Sequence, residues 1–170
     1  MRLRPSSAKL IVAFMSEISA WRIEKSKWAA GAFSGDGAAA WGGRWNSPGS
    51  RVVYVSQNLA MAVLEKFVHL EHPRLAAGEF VKFSIRFDEV PIARIPANSL
   101  PAGWQSPVET RAAQKVGDDW IAENKTAILA LPSAILPEEE NYLLNPQHAD
   151  FQRLLISPVC RFDFDPRLYS

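Results

Sequence analysis

Between Trp41 and Leu70 the chain reads W-G-G-R-W-N-S-P-G-S-R-V-V-Y-V-S-Q-N-L-A-M-A-V-L-E-K-F-V-H-L, and Arg44, Tyr54 and Glu65 follow one another ten or eleven residues apart. They supply one fixed cation, one amphipathic ring and one carboxylate. An arginine fork matches phosphate oxygens and stays charged at any working pH. A carboxylate can hold a ribose hydroxyl and steady an oxocarbenium ion as a glycosidic bond breaks. Brought together by a compact unit, the three suit an anionic sugar nucleotide.

Each residue also has a plainer reading. Gly42 and Gly43, just before Arg44, permit a positive φ or a close backbone approach, which an ordinary loop also uses. Tyr54 lies inside V-V-Y-V, where a core tyrosine bonded to backbone would fit. Glu65, flanked by Met61 and Val68 at helical spacing, is either a solvated border residue or a partly desolvated one lining a cleft. Ser133, in L-A-L-P-S-A-I-L, is a lone hydroxyl in an apolar strand. No G-x-G-x-x-G and no G-x-x-x-x-G-K-[ST] occurs, which removes a dinucleotide-binding crossover and a P-loop. His69 and His72 sit at a helix end near Glu65 and Glu71, but no third ligand has a metal-site spacing, so no metal is expected. His148, after N-P-Q in a turn, is a weak general-base candidate. No serine–histidine–aspartate set can be assembled, and Glu138 to Glu140 read as a solvated loop.

The elements that must position these residues can be read from periodicity. Ala20 to Glu24 is a short strand, and Ala29 to Gly43, dominated by Ala and Gly, a flexible loop. Arg51 to Ser56 is a buried strand. Ser56 or Asn58 caps the following helix, whose apolar face carries Leu59, Val63, Leu64, Phe67 and Val68, and which Pro73 stops. Glu79 to Asp88 alternates as a half-buried strand, with Val81, Phe83, Ile85 and Phe87 on one face. Residues 91–107 read as an irregular connection. Val108 to Asn124 is a helix facing inward with Val116, Trp120 and Ile121. Ala127 to Ile135, Tyr142 to Leu144 and Leu154 to Ile156 are strands, and Pro146 opens a helix between the last two. Strands and helices without regular β-α-β alternation predict an α+β fold.

The 170 residues suit one domain, with 48% hydrophobic and 22% charged residues, the make-up of a globular chain. A net charge of +1 argues against a broad nucleic-acid footprint, so no direct nucleic-acid binding is expected. Cys160 is the sole cysteine, which excludes an intrachain disulfide and fits a reducing cytoplasm. Arg2, Arg4 and Lys9 precede Leu10 to Met15, an apolar run too short for a membrane span and a poor secretion signal. Met15 is an alternative start. Residues 1–14 are then an N-terminal extension outside the folded domain of residues 15–170.

From Trp21 to the C-terminus the chain resembles the RES domain, a family named for an arginine, a glutamate and a serine. The resemblance rests on W-R-I at Trp21, G-G-R-W-N around Arg44, V-Y-V-S around Tyr54 and L-E-K-F-V-H around Glu65. L-P-S around Ser133, N-Y-L-L-N-P-Q-H from Asn141 and the closing F-D-P-R-L complete it. The family comprises bacterial toxins that consume NAD, with a fold related to the ADP-ribosyltransferases, so a single domain with a mixed, partly antiparallel sheet is implied. The resemblance implies Arg44, Tyr54, Glu65 and Ser133 as the catalytic set. Arg44 grips the pyrophosphate, with Arg22 a second clamp and Trp45 and Asn46 beside the ligand. Tyr54 packs against the nicotinamide or its ribose, and Glu65 holds the ribose hydroxyl. Ser133 orients Glu65, the nicotinamide or a phosphate. NAD is substrate, no resident cofactor is implied, and the acceptor stays open between water, phosphate and a protein side chain. The implied partner is a separate Xre-type helix-turn-helix antitoxin, in a homodimer or a larger toxin–antitoxin assembly. A protein-directed ADP-ribosyltransferase and a non-catalytic partner-binding module remain the alternatives.

Overall fold

A computed structural model describes residues 19–70, 79–108 and 110–168. The expected extension 1–14 and the helix stop at Pro73 lie outside the described residues. The strands are β1 (Ser19–Lys25), β2 (Val53–Ser56), β3 (Phe80–Arg86), β4 (Ile92–Arg94), β5 (Ile128–Pro132), β6 (Glu140–Leu144), β7 (Leu155–Ile156) and β8 (Cys160–Phe162). The helices are α1 (Asp36–Trp41), α2 (Leu59–Phe67) and α3 (Arg111–Glu123). The strands form one mixed sheet in the order β4-β5-β6-β2-β1-β3-β7, with β8 also on β3. Among the described strands only β4 and β5 pair in parallel. The α+β expectation holds.

Strict alternation gives this sheet two buried faces. Ala20, Val53, Val55, Ile85, Ile128, Ala130, Tyr142 and Leu144 form one core cluster. The residues between them point the other way. There Leu129, Leu131 and Leu143 pack with Trp120 and Ala113 of α3, while Ile23 and Phe80 pack with Ala62 of α2 and with Phe164. β5 is buried along its whole length for this reason.

β1 and β2 share a single registered pair, Trp21 with Ser56. Beyond it the two strands diverge toward the C-terminal end of β1. β2 otherwise pairs with β6, placing Tyr54 opposite Leu143 and Ser56 opposite Asn141. Tyr54 and Asn141 therefore project from the same face, toward the helices.

Several expectations need correction. The segment Ala29 to Gly43 is not a flexible loop: it holds the end of a 3-10 helix, Ser26–Gly31, and then α1. Three consecutive alanines, the best helix formers, outweigh the single Gly37. Asn58 is the cap of α2, its side chain accepting from the Met61 amide at 2.8 Å. The buried residues of α2 are Met61 and Ala62, whereas Val68 is 52% exposed because the helix has already ended at Phe67. Within 91–107 the structure forms β4, which lies parallel to β5. The expected helix at Pro146 is a 3-10 turn over Ala149–Arg153, and His148 caps it by accepting from the Asp150 amide. Glu140 is no loop residue: it opens β6 and pairs with Arg94 at 2.5 Å.

α3 meets the loop that follows α1 at Gly117. A Cβ there would overlap the carbonyl oxygen of Trp45. We expect Gly117→Ala to cost about 2 kcal/mol or more, as overpacking of a fixed backbone does. Gly37, in α1, has open space around it, and Gly37→Ala should be neutral or stabilising by up to about 1 kcal/mol. Urea unfolding of the two variants checks both; equal stability in the pair contradicts the packing.

Candidate functional site

The loop from Gly42 to Ser50 carries Arg44, and almost every polar group in it is tied down. Gly42 turns at φ +72°, and the Gly43 amide bonds the Asn46 carbonyl at 2.9 Å. The Tyr54 hydroxyl donates to Asn46 Oδ1 at 2.7 Å and accepts from the Trp45 amide at 3.0 Å. A side chain at Gly43 would come within 2.5 Å of that hydroxyl. Asn46, fully buried, donates to the carbonyls of Ala38, Ser47 and Ser50. α3 grips the loop from below. Asp118 accepts from the Ser47 amide and the Ser50 hydroxyl, and Gln114 donates to the Gly43 carbonyl.

So held, Arg44 extends Nη1 to the carbonyls of Trp104 and Ser106, at 2.8 and 2.9 Å. Trp45 stacks on Trp104 with ring centroids 5.7 Å apart. No carboxylate pairs with Arg44 among the described residues.

Glu65 projects from α2 toward the end of β5. Its Oε1 accepts from Ser133 Oγ at 2.8 Å and from Asn141 Nδ2 at 2.5 Å. Ser133 is fully buried, and its oxygen also accepts from the amides of Ile135 and Leu136. Its hydrogen is thereby directed at the carboxylate. Among the described residues Glu65 Oε2 makes no hydrogen bond. Of the contacts left open for Ser133, the structure forms the one to Glu65. Asn141 was missed as a site residue, although N-Y-L-L-N marked its neighbourhood. A polar residue two before a buried leucine in a central strand was the available signal.

Where β1 and β2 diverge, a cleft of about 720 Å³ opens. Arg22, Glu24, Val53, Tyr54 and Lys66 line it, with Trp28 and Trp41 among the other walls. Arg22 and Tyr54 of the expected site thus face the cleft. Arg44, Trp45, Asn46, Glu65 and Ser133 are not in its lining. They stand beside it, joined through Tyr54 and through Lys66, the chain neighbour of Glu65.

Burial dominates the ionisation of the cleft wall. It raises the Tyr54 hydroxyl well above the ordinary phenol value, so the group remains a hydrogen-bond donor. Burial pushes Arg22 and Lys66 down, opposed in each case by Glu24. Burial alone would raise Glu24, yet Arg22, Lys66 and the Lys25 amide outweigh it and hold the carboxyl below its usual range. His69 is exposed at the end of α2, and His72 lies outside the described residues.

The fold and site define an α+β domain whose sheet parts into a cleft beside a loop-borne arginine and a helix-borne glutamate. The RES domain model matches residues 19–165, and the chain belongs to that family. It is 37% identical over 150 residues to the Toxin Res of Photorhabdus laumondii, covering 87% of this chain and 95% of that one. To the Prs ADP-ribosylating toxin of a Sphingobium species it is 36% identical over 155 residues, covering 88% and 96%. In three dimensions it is similar to a chain of the Mycobacterium tuberculosis MbcT–MbcA toxin–antitoxin complex. The TM-score is 0.70 at 16% identity, over 90% of this chain and 87% of that one, a likeness of fold.

Asp118 gives the loop anchorage a pH signature. Burial raises its carboxyl, but bonds from Ser47 and Ser50 outweigh burial and leave it below the usual value. A lowered folded pKa stabilises fully above the unfolded value of about 3.9, and that stabilisation is lost as pH falls through the folded pKa. Asp118→Asn should therefore be less stable than wild type at about pH 7, and the gap should narrow as pH falls below about 4. Urea midpoints across this range check it; a constant gap would mean that the charge plays no part.

Proposed function

We propose that the chain is the toxin of a toxin–antitoxin pair and that it breaks the bond between nicotinamide and ribose in NAD. The observation that carries this is Glu65: two donors fix one carboxylate oxygen, while the other has no partner among the described residues. A carboxylate so oriented can hold a ribose hydroxyl and oppose the positive charge that grows as the C–N bond parts. Such preorganised charge is strongest where water is scarce. Nicotinamide leaves as a neutral molecule, so no acid is required to expel it.

The other residues then take supporting roles. Arg44, charged and held by two carbonyls, steers the anionic half of the dinucleotide together with Arg22. Tyr54 packs its ring against the nicotinamide end while its hydroxyl keeps Trp45 and Asn46 in place. Ser133 and Asn141 aim Glu65. The name of the Sphingobium relative favours a second reading, in which the acceptor is a protein side chain in place of water or phosphate. The pocket serves either. No helix among the described residues is long and apolar enough to cross a membrane; the cytoplasmic site of action belongs to the proposal and follows from NAD as the proposed substrate.

Incubating the purified protein with NAD, with and without phosphate and a candidate protein acceptor, and analysing the products tests this reading. Free nicotinamide is expected in every arm, and the form of the ADP-ribose names the acceptor. Glu65→Gln should lose about 100-fold or more in turnover, the scale for one preorganised electrostatic group. Ser133→Ala should lose less, because Asn141 still holds the carboxylate. Wild-type turnover in Glu65→Gln contradicts the assignment.

Expression of the chain in bacteria should arrest growth and lower cellular NAD, and a cognate Xre-type helix-turn-helix partner should relieve both. With near-zero net charge, silencing requires a shape-matched segment over the cleft and not long-range attraction. Growth arrest that persists in an Arg44 and Glu65 double variant would separate the toxicity from this chemistry.

A further inference from the structure

The cleft has two unlike walls. On the side of β1 and α2 the charges answer one another. Arg22 Nη1 bonds the Tyr54 carbonyl at 2.8 Å and Nη2 bonds Glu24 at 2.6 Å, while Lys66 Nζ reaches the same carboxylate at 3.3 Å. The other wall is built by the 3-10 helix Ser26–Gly31 and by α1, and it is aromatic. Trp28 is 55% exposed and Trp41 87% exposed, although both line the cleft. The Trp28 ring already carries Lys27 Nζ at 4.7 Å from its centroid. Among the described residues no ring or cation stands over Trp41. Asp36, the acidic residue of this wall, is paired with Arg51. Glycines and alanines supply most of what remains of it, and a Cβ added at Gly37 would meet nothing within 4 Å. Helical side chains lean toward the N-terminus of their helix, so Trp41 rises from the face that carries Gly37 one turn earlier, where the space is clear. A large apolar side chain left bare inside a cleft is informative in a way that a scattered surface residue is not.

We propose that Trp41 is the stacking platform for the purine base of the bound dinucleotide, with Trp28 bounding the same wall. This deepens the proposed reading of the cleft and rests on it. A dinucleotide carries an aromatic ring at each end. Glu65 takes the nicotinamide end, and it lies on α2 next to Lys66, in the charged wall. The second ring is then left with the aromatic wall. Its flat face matches an exposed indole, and stacking asks for no hydrogen-bond donor, which a wall of glycine and alanine side chains does not supply. The platform is also held in place: Trp41 ends α1, and the Gly42 amide bonds the Ala38 carbonyl at 2.8 Å before the chain turns into the loop of Arg44. Platform and Arg44 are thereby set by the same anchored turn.

The test needs no turnover. AMP and nicotinamide mononucleotide, the two halves of the dinucleotide, are titrated separately into the whole purified chain by calorimetry, with ribose 5-phosphate as the probe that lacks a base. AMP is expected to bind saturably and about tenfold or more tighter than ribose 5-phosphate, the scale of one stacked base. Trp41→Ala should erase that advantage and leave the other two probes unchanged, while Trp41→Phe should keep most of it. Trp41 lies outside the core, so both variants should unfold at the wild-type urea midpoint. A merely structural tryptophan predicts a lower midpoint and an equal loss for every probe. Equal affinity for AMP and ribose 5-phosphate, unchanged AMP binding in Trp41→Ala, or a loss confined to nicotinamide mononucleotide overturns the platform. If Trp41→Ala binds AMP normally but escapes relief by the helix-turn-helix partner, Trp41 belongs to a protein interface and the platform is likewise overturned. If NAD is consumed with an unaltered KM in Trp41→Ala and AMP does not bind, the platform fails and the proposed reaction stands. If AMP binds as described and NAD is untouched, the reaction fails and the platform stands as a purine-nucleotide site.

Discussion

The arrangement depends on one close approach, the backbone of Trp45 lying against Gly117 of α3. With no side chain in the way, the helix comes near enough for Asp118 and Gln114 to reach the loop's own amide and carbonyl groups. The loop has little regular structure of its own and would otherwise leave those groups to water. Tyr54 completes the grip from the sheet side. Arg44 is therefore positioned by a helix lying far along the chain and by a strand, and its aim is as rigid as theirs.

Some of this was legible in the residues. The alternation of Val81, Phe83 and Ile85 gave β3, and V-V-Y-V gave β2, because a half-buried or buried strand writes its period directly into side-chain type. Asn58 could be read as a cap because the bond it makes is local. α1 was not legible: a run of alanine and glycine fits a loop and a short helix equally. β4 was hidden among prolines, since its three residues are held by pairing with β5 and not by their own pattern. The Glu65–Ser133 contact joins residues 68 apart in the chain, and periodicity cannot express a bond of that range. Their partnership was accessible only as a resemblance. Asn141 and Gly117 were missed for related reasons: one is a polar residue in a strand, the other a glycine inside a helix. Each is explained only by what lies opposite it.

The two kinds of buried polar group answer different demands. Asn46 and Ser133 are fully buried and satisfied, so they fix geometry. Arg22 and Lys66 are charged and share one counter-ion, an arrangement that contributes little to stability by itself. A domain that needed only to fold would be as well served by apolar residues at those positions. The difference separates the part of the wall that frames the cleft from the part that can answer to a ligand.

The Arg22–Tyr54 contact has a mechanical side. Its guanidinium takes a strand carbonyl that a neighbouring strand would otherwise claim, and so works as a wedge driven between β1 and β2. The sheet is divided into two half-sheets, β4-β5-β6-β2 and β1-β3 with its edge strands, stitched by one residue pair and spanned by α2. A narrow stitch of this kind is a hinge line, where local opening costs less than unfolding either half. Ligand that engages both sides of the wedge would stiffen the whole domain, and a protein clamped across the same line could lock it without touching Glu65.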